Sequence, residues 1–121
     1  MKARAVVLTE LNKFSVEEIE LDPPKAGEVR IRMVATGICQ SDNAVAIGKL
    51  PMPTPIVMGH EGAGVVEEIG PNVTNVKVGD HVITSFIPIC GTCYFCLHQE
   101  PWLCTATNLF TGMQPDGTSR V

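Results

Sequence analysis

The sequence is poor in several features, and each shortage removes a class of function. Charged residues make up 18% of the chain, the net charge is −4, and the nine Lys and Arg are scattered. No basic stripe is therefore available to follow a nucleic-acid backbone. Met1 to Thr9 carries two early cations, Lys2 and Arg4, but no long apolar core and no small-residue cleavage site, so no signal peptide is expected. From Val82 to Leu97 no residue is charged, yet Pro88, Gly91 and three cysteines interrupt the run. A membrane span needs about 20 predominantly apolar residues, so a strand leading into a metal loop is expected there, in a soluble protein. Internal repeats and low-complexity stretches are missing too. A disulfide scaffold finds little support: the five cysteines are an odd number, four of them fall between Cys90 and Cys104, and Cys39 stands apart. Secreted scaffolds use even, dispersed sets, so this usage favours metal in a reducing, cytoplasmic compartment.

What is present describes one globular domain. A chain of 121 residues, 45% hydrophobic, is long enough to bury roughly two-thirds of its unfolded surface. Ala3 to Leu8 and Phe14 to Leu21 read as strands joined by a turn at Asn12 and Lys13. In the second, the apolar phase slips from Phe14 and Val16 to Ile19 and Leu21, which predicts a β-bulge near Glu17 and Glu18. Pro23, Pro24 and Gly27 form the next turn. Val29, Ile31, Met33 and Ala35 then alternate with Arg30, Arg32, Val34 and Thr36 as a half-buried strand. Ser41 or Asp42 is placed to cap a short helix through Ala44 to Ile47, stopped by Gly48. Pro51, Pro53 and Pro55 hold an extended loop. Strands follow at Gly62 to Ile69 and His81 to Ile87, separated by turns at Gly70–Pro71 and Gly79–Asp80. Short strands, many Gly and Pro turns and little helix predict an all-β barrel or sandwich.

Two groups of residues carry chemistry. Cys90, Cys93, Cys96 and Cys104 form a C-x2-C-x2-C-x7-C pattern. Closely spaced cysteines on a tight loop converge at low chain-entropy cost, and Gly91 lets the backbone turn at the first pair. Four thiolates would fill a zinc coordination sphere and leave no open position, so the metal expected there is structural. Disulfides and an iron–sulfur cluster are the alternatives; no thioredoxin-like βαβ pattern accompanies the cysteines. The second group is Cys39, Ser41, Asp42, His60 and Glu61. Thiolate and imidazole are good zinc ligands, and a catalytic zinc typically has three protein ligands and one open position. From the residues alone, a small core Cys and a merely hydrogen-bonded His are the favoured reading, with a ligand pair the alternative.

Taken in order, Gly37-Ile38-Cys39-Gln40-Ser41-Asp42, Gly59-His60-Glu61-Gly62-Ala63-Gly64-Val65-Val66, Val78-Gly79-Asp80-His81-Val82 and the four-cysteine lobe resemble the zinc-dependent medium-chain alcohol dehydrogenases. The whole chain is similar to their N-terminal, GroES-like catalytic domain, a mainly β, partly open barrel with a short helix and a zinc lobe at residues 88–106. The resemblance implies that Cys39 and His60 ligate a catalytic zinc, with Glu61 the neighbouring carboxylate that approaches the metal during ligand exchange. It implies that Asp42 orients the His60 ring and that Ser41 accepts the substrate alcohol's proton. Gln40 stands where a cation often meets the cofactor phosphates, and Ala44 where many members carry a His that passes the proton to water. The third catalytic ligand and the nucleotide-binding domain are expected beyond residue 121. Gly62-Ala63-Gly64 is not a dinucleotide fingerprint, because Glu67 takes the third glycine's place and no helix pattern follows; those glycines are assigned to backbone packing. Asp116 to Val121 resembles a mid-domain stretch, so the catalytic domain is expected to be incomplete.

The expected protein is thus the N-terminal part of an enzyme that oxidises an alcohol to an aldehyde or ketone with NAD(P), inactive alone. The full-length parent is expected to be a homo-oligomer without nucleic-acid or membrane partners. A free-standing, non-catalytic zinc-binding module is the alternative, and a co-chaperonin-like ring subunit is a third reading by fold analogy.

Overall fold

The computed structural model describes residues 1–87 and 89–106. The Asp116–Val121 resemblance and Pro88 lie outside the described residues.

Strands β1 (Lys2–Glu10) and β2 (Lys13–Glu20) form an antiparallel hairpin turning at Asn12, whose φ is 61°. Pairing runs in register from Lys2↔Glu20 through Arg4↔Glu18 and Ala5↔Glu17 to Leu8↔Phe14, and the irregularity falls between Leu8 and Glu10. The bulge predicted near Glu17 and Glu18 is therefore not formed. The phase slip has another cause: Phe14 and Val16 lie on the exposed face of β2, whereas Ile19 lies on the half-buried one. A strand whose two faces carry apolar residues at different ends mimics a bulge in sequence.

The proline loop ends in a short strand, β4 (Ile56–Val57), after β3 (Val29–Thr36). It pairs with β1 through Val7↔Val57 and Leu8↔Ile56, giving a three-stranded sheet ordered β2-β1-β4. β1 is its middle strand, which explains why the adjacent Val7 and Leu8, pointing to opposite faces, are both buried. A second three-stranded sheet, ordered β3-β5-β6, is built from β3, β5 (Gly62–Ile69) and β6 (His81–Ile83). The β3–β5 register shifts between Arg30 and Ile31 and again between Met33 and Ala35. A Cβ at Gly64 would collide with the Arg32 backbone, and one at Gly62 with the Met33 side chain. Those glycines serve close strand packing, as expected.

The strand predicted to reach Ile87 stops at Ile83. β5 begins at Gly62, Ala63 pairs with Ile83, and beyond Thr84 the ladder has no partner strand to follow. Helix α1 (Gln40–Ala46) is capped by Cys39 rather than by Ser41 or Asp42. Asp42 is the third helical residue, and its Oδ2 accepts the Cys39 N–H at 2.9 Å, so it caps by reaching back. Gly48, at φ 77°, follows the helix end, the left-handed conformation that glycine adopts freely. The cysteine lobe contains a single helical turn, α2 (Tyr94–Leu97), and a 3-10 turn at Pro101–Leu103.

The architecture is mainly β, and its sheets do not close. Among the described residues the buried hydrophobics are Val7, Leu8, Ile56, Val66 and Cys104, of which Val7, Leu8 and Val66 are fully buried. The alternation predicted for β3 is not observed: Val29 and Ile31 are half-buried but so is Arg30 between them, and Met33, 51% exposed, and Ala35 are open; Ile83 and Ile38 are 82% and 91% exposed. These open apolar residues border one end of the second sheet, where β3 and β6 terminate. Among the described residues no helix is long and apolar enough to cross a membrane.

Candidate metal centres

In the lobe, all four cysteines are free thiols and their sulfurs lie within 4.8 Å of one another. Cys90 Sγ is 3.9 Å from Cys96 Sγ, and Cys93 Sγ is 4.0 Å from Cys104 Sγ. A tetrahedron of thiolates ~2.3 Å from zinc has sulfur–sulfur edges of roughly 3.8 Å, whereas a disulfide bond requires about 2.05 Å. The donor set and spacing thus fit a closed four-thiolate metal site.

The loop stabilises negative charge unevenly. Cys90 Sγ accepts the Thr92 N–H at 3.5 Å, the Thr92 hydroxyl at 3.6 Å and the Cys93 N–H at 3.3 Å. The bonds from Thr92 and then Cys93 hold its thiol down to about 5. Bonds from the Cys96 and Thr105 backbones lower Cys93 as well. Desolvation, with neighbouring thiols adding to it, pushes Cys96 up to about 11. A cluster that cannot release all its protons without a cation is the usual state of a metal-free thiolate site.

The second centre gathers residues from two segments. Cys39 is at the N-cap of α1, Ser41 and Asp42 lie in its first turn, and His60 and Glu61 directly precede β5. Ligand atoms of Cys39, His60 and Glu61 lie within 4.8 Å of one another. Ser41 Oγ is 3.3 Å from His60 Nε2, while His60 Nδ1 faces Asp42 Oδ1 at 3.3 Å. Asp42 therefore spans two ligand candidates, taking the Cys39 N–H on one oxygen and the His60 ring on the other. A carboxylate against Nδ1 fixes the tautomer with its proton there and leaves the Nε2 lone pair toward Cys39 and Ser41. Hydrogen bonds from the Ser41 side chain and backbone, then from His60, lower the Cys39 thiol, outweighing desolvation and the Glu61 charge. Burial acts downward on His60, but the Cys39 hydrogen bond and the charges of Asp42, Cys39 and Glu61 raise it.

These groups open into a cavity of about 760 Å³ lined by Cys39, Ser41, His60 and Glu61 together with apolar wall residues such as Ala63, Ile83 and Phe86. The Phe86 ring packs against the His60 ring at 5.1 Å. A mostly apolar cleft with a few convergent polar groups is the usual form of a small-molecule site.

All the predicted site residues fall into these two groups, except that Gln40 is exposed at the start of α1 and is not among the cavity-lining residues. Thr84 and Phe86 were not singled out by the sequence. The alternation from His81 onward was read as a continuing strand, and only its early end turns these two side chains toward His60.

An open two-sheet β domain thus carries a four-cysteine cluster and a separate Cys–His–Glu cleft, each with a donor set that fits a metal ion. More particularly, the chain belongs to the alcohol dehydrogenase GroES-like domain family, whose sequence profile matches residues 25–120. It superposes on an alcohol dehydrogenase zinc-binding domain protein from Burkholderia ambifaria with a TM-score of 0.91 and 38% identity, over 99% of this chain and 33% of that one. It is 36% identical to benzyl alcohol dehydrogenase from Acinetobacter calcoaceticus, with a TM-score of 0.90, over 99% of this chain and 34% of that one. A short chain alcohol dehydrogenase from E. coli CFT073, solved with NADH, gives 35% identity and a TM-score of 0.72 over 84% of this chain and 30% of that one. The chain thus spans about a third of the length of these relatives.

Proposed function

We propose that this chain is the N-terminal catalytic-domain portion of a zinc-dependent alcohol dehydrogenase that oxidises an alcohol to an aldehyde or ketone with NAD(P). The observation that carries the reading is the convergence of Cys39, His60 and Glu61 in an open, apolar cleft, apart from a four-thiolate cluster with no room for a substrate. Cys90, Cys93, Cys96 and Cys104 would hold a structural zinc; Cys39 and His60 would hold a catalytic one. A zinc bound there would act as a Lewis acid on the alcohol oxygen, and a nicotinamide nucleotide bound elsewhere in the parent would accept the hydride.

The chain's own residues have distinct tasks. Asp42 holds the proton on His60 Nδ1 and keeps Nε2 free to ligate. Ser41 Oγ, beside Nε2, is placed to accept the substrate hydroxyl's proton as it releases its own toward solvent. The apolar side chains of Ala63, Ile83 and Phe86 line the cleft and would help to exclude water once the remainder of the parent covers it. Ala44, on the following turn of α1, has no group to pass that proton on, so the relay leaves Ser41 by another route. Exposed Ile38 and Ile83 at the cleft mouth support a surface that the remainder of the parent covers, in keeping with the one-third coverage of the relatives. The free cysteines support a reducing, cytoplasmic setting.

Metal analysis tests the assignment. The expected result is one tightly held zinc per chain in the lobe and a second, weaker site abolished by Cys39→Ala. A single zinc per chain under saturating metal, unaffected by Cys39→Ala, would leave only the non-catalytic module. In the full-length parent, Ser41→Ala should lower turnover far more than it alters metal content.

A further inference from the structure

We infer that Thr84 is the residue that positions His60 and Glu61 for metal binding, an inference that rests on the reading of Cys39 and His60 as ligands. The Thr84 hydroxyl donates to the His60 carbonyl at 2.8 Å and accepts the Gly62 N–H at 2.8 Å. Its backbone N–H donates to the Gly62 carbonyl, also at 2.8 Å. From the opposite side, the Gly37 N–H donates to the Glu61 carbonyl at 2.8 Å. The carbonyls of His60, Glu61 and Gly62 are therefore all taken, with Thr84 on one flank and the end of β3 on the other.

The two bonds through Oγ1 bracket Glu61. They restrain the peptide units on either side of it, and so the directions in which the His60 ring and the Glu61 carboxylate leave the backbone. A hydroxyl can make both bonds at once because it donates one proton and accepts on its lone pairs. Thr84 stands just past the end of the ladder that joins these segments. The β5–β6 ladder pairs Ala63 with Ile83, and Thr84 extends the contact past the end of β6 to the residue that precedes β5 by two positions. A glycine on the β3 flank permits the fit: a Cβ at Gly37 would strike the Glu61 carboxylate. Thr84 thus acts through His60 and Glu61 rather than on the metal.

Thr84→Val keeps the shape and removes the hydroxyl, whereas Thr84→Ser keeps the hydroxyl and removes the methyl. The 121-residue chain, its lobe first filled with one equivalent of zinc, is titrated with Co²⁺ and followed by the visible bands of the cobalt–thiolate site. Thr84→Val should bind Co²⁺ in the cleft about tenfold more weakly, the lower range for groups that orient metal ligands, and Thr84→Ser should match the unsubstituted chain within about twofold. Unchanged affinity in Thr84→Val overturns the inference. Equal losses in Val and Ser, or loss of the lobe zinc alongside, assign Thr84 a general structural role and overturn it too. Should the unsubstituted chain take no cobalt beyond the lobe, the ligand reading itself fails, and the inference with it; that result needs no variant and is distinguishable.

Discussion

The two candidate metal centres are built in opposite ways. In the lobe, every ligand comes from one loop between Cys90 and Cys104, and the spacing of the thiols is set by local turns such as α2 and the hydrogen bonds from Thr92 and Cys93. In the cleft, Cys39 and His60 are 21 positions apart in sequence (60 minus 39) and meet only because β3 and β5 are paired, with Thr36 opposite Gly62. A local site depends on its metal to become ordered, while a site spanning a sheet is largely ordered by the sheet. Removing the metal should accordingly cost the lobe its structure and the cleft only its ligand. That asymmetry matches the division of labour proposed above, since a catalytic site profits from being preorganised and left partly open.

The largest effect is expected in the lobe. Structural zinc supplies ~10–16 kcal/mol of apparent binding energy, comparable with a whole domain's ~5–15 kcal/mol. Strong chelation, or Cys96→Ser, should open residues 89–106 to protease and alter circular dichroism; unchanged protection would break the comparison. Next comes the cleft. Asp42→Asn should weaken cleft metal by about 10–100-fold while leaving lobe zinc in place, because it disturbs both the His60 ring and the Cys39 N–H. Loss of lobe zinc in the same variant would show that the two centres are not independent.

A smaller, graded effect follows from pH. His60 is raised above its ordinary 6.5 in the metal-free chain, so the folded state holds the proton more firmly than the unfolded one. Any stability from that proton is full below 6.5 and fades as pH rises through the folded value. Metal must displace the same proton, and that of Cys39 where it is still a thiol, so cleft affinity should climb by at least about tenfold per pH unit while His60 is protonated. Calorimetric titration across neutrality checks the slope, and a flat profile would remove His60 from the ligand set. The smallest effect is expected far from both centres. Lys77 and Asp80 pair at 2.8 Å on the surface, each shifted toward its charged form first by their mutual hydrogen bond. The pair's contribution is present between the ordinary values of 3.8 and 10.5 and is lost as pH falls through the lowered Asp80 value or rises through the raised Lys77 value. Lys77→Ala should leave metal binding at both centres unaltered and shift the melting temperature little, since exposed pairs contribute little.

Most of the strands were legible because their alternation and turn residues are local signals, as with Gly62 to Ile69 between glycine turns. The errors share one physical origin. The bulge read near Glu17 and the extension read to Ile87 both depended on what lay across the strand, and period-2 patterning is blind to the partner. The cap of α1 was misread for a related reason: Asp42 caps from inside the helix, which its position alone does not disclose.

The sequence by itself determined the four-cysteine lobe, since its ligands are close enough along the chain for spacing to specify convergence. It also carried the ordered motifs that mark the family. Only the tertiary structure decided that Cys39, Ser41, His60 and Glu61 share one cleft, with Asp42 against the His60 ring, and that Thr84 and Phe86 stand against His60. Pairing of β3, β5 and β6 closes loops too long for local spacing to fix. The place where each ladder ends, rather than the residues alone, determines which side chains turn toward the site.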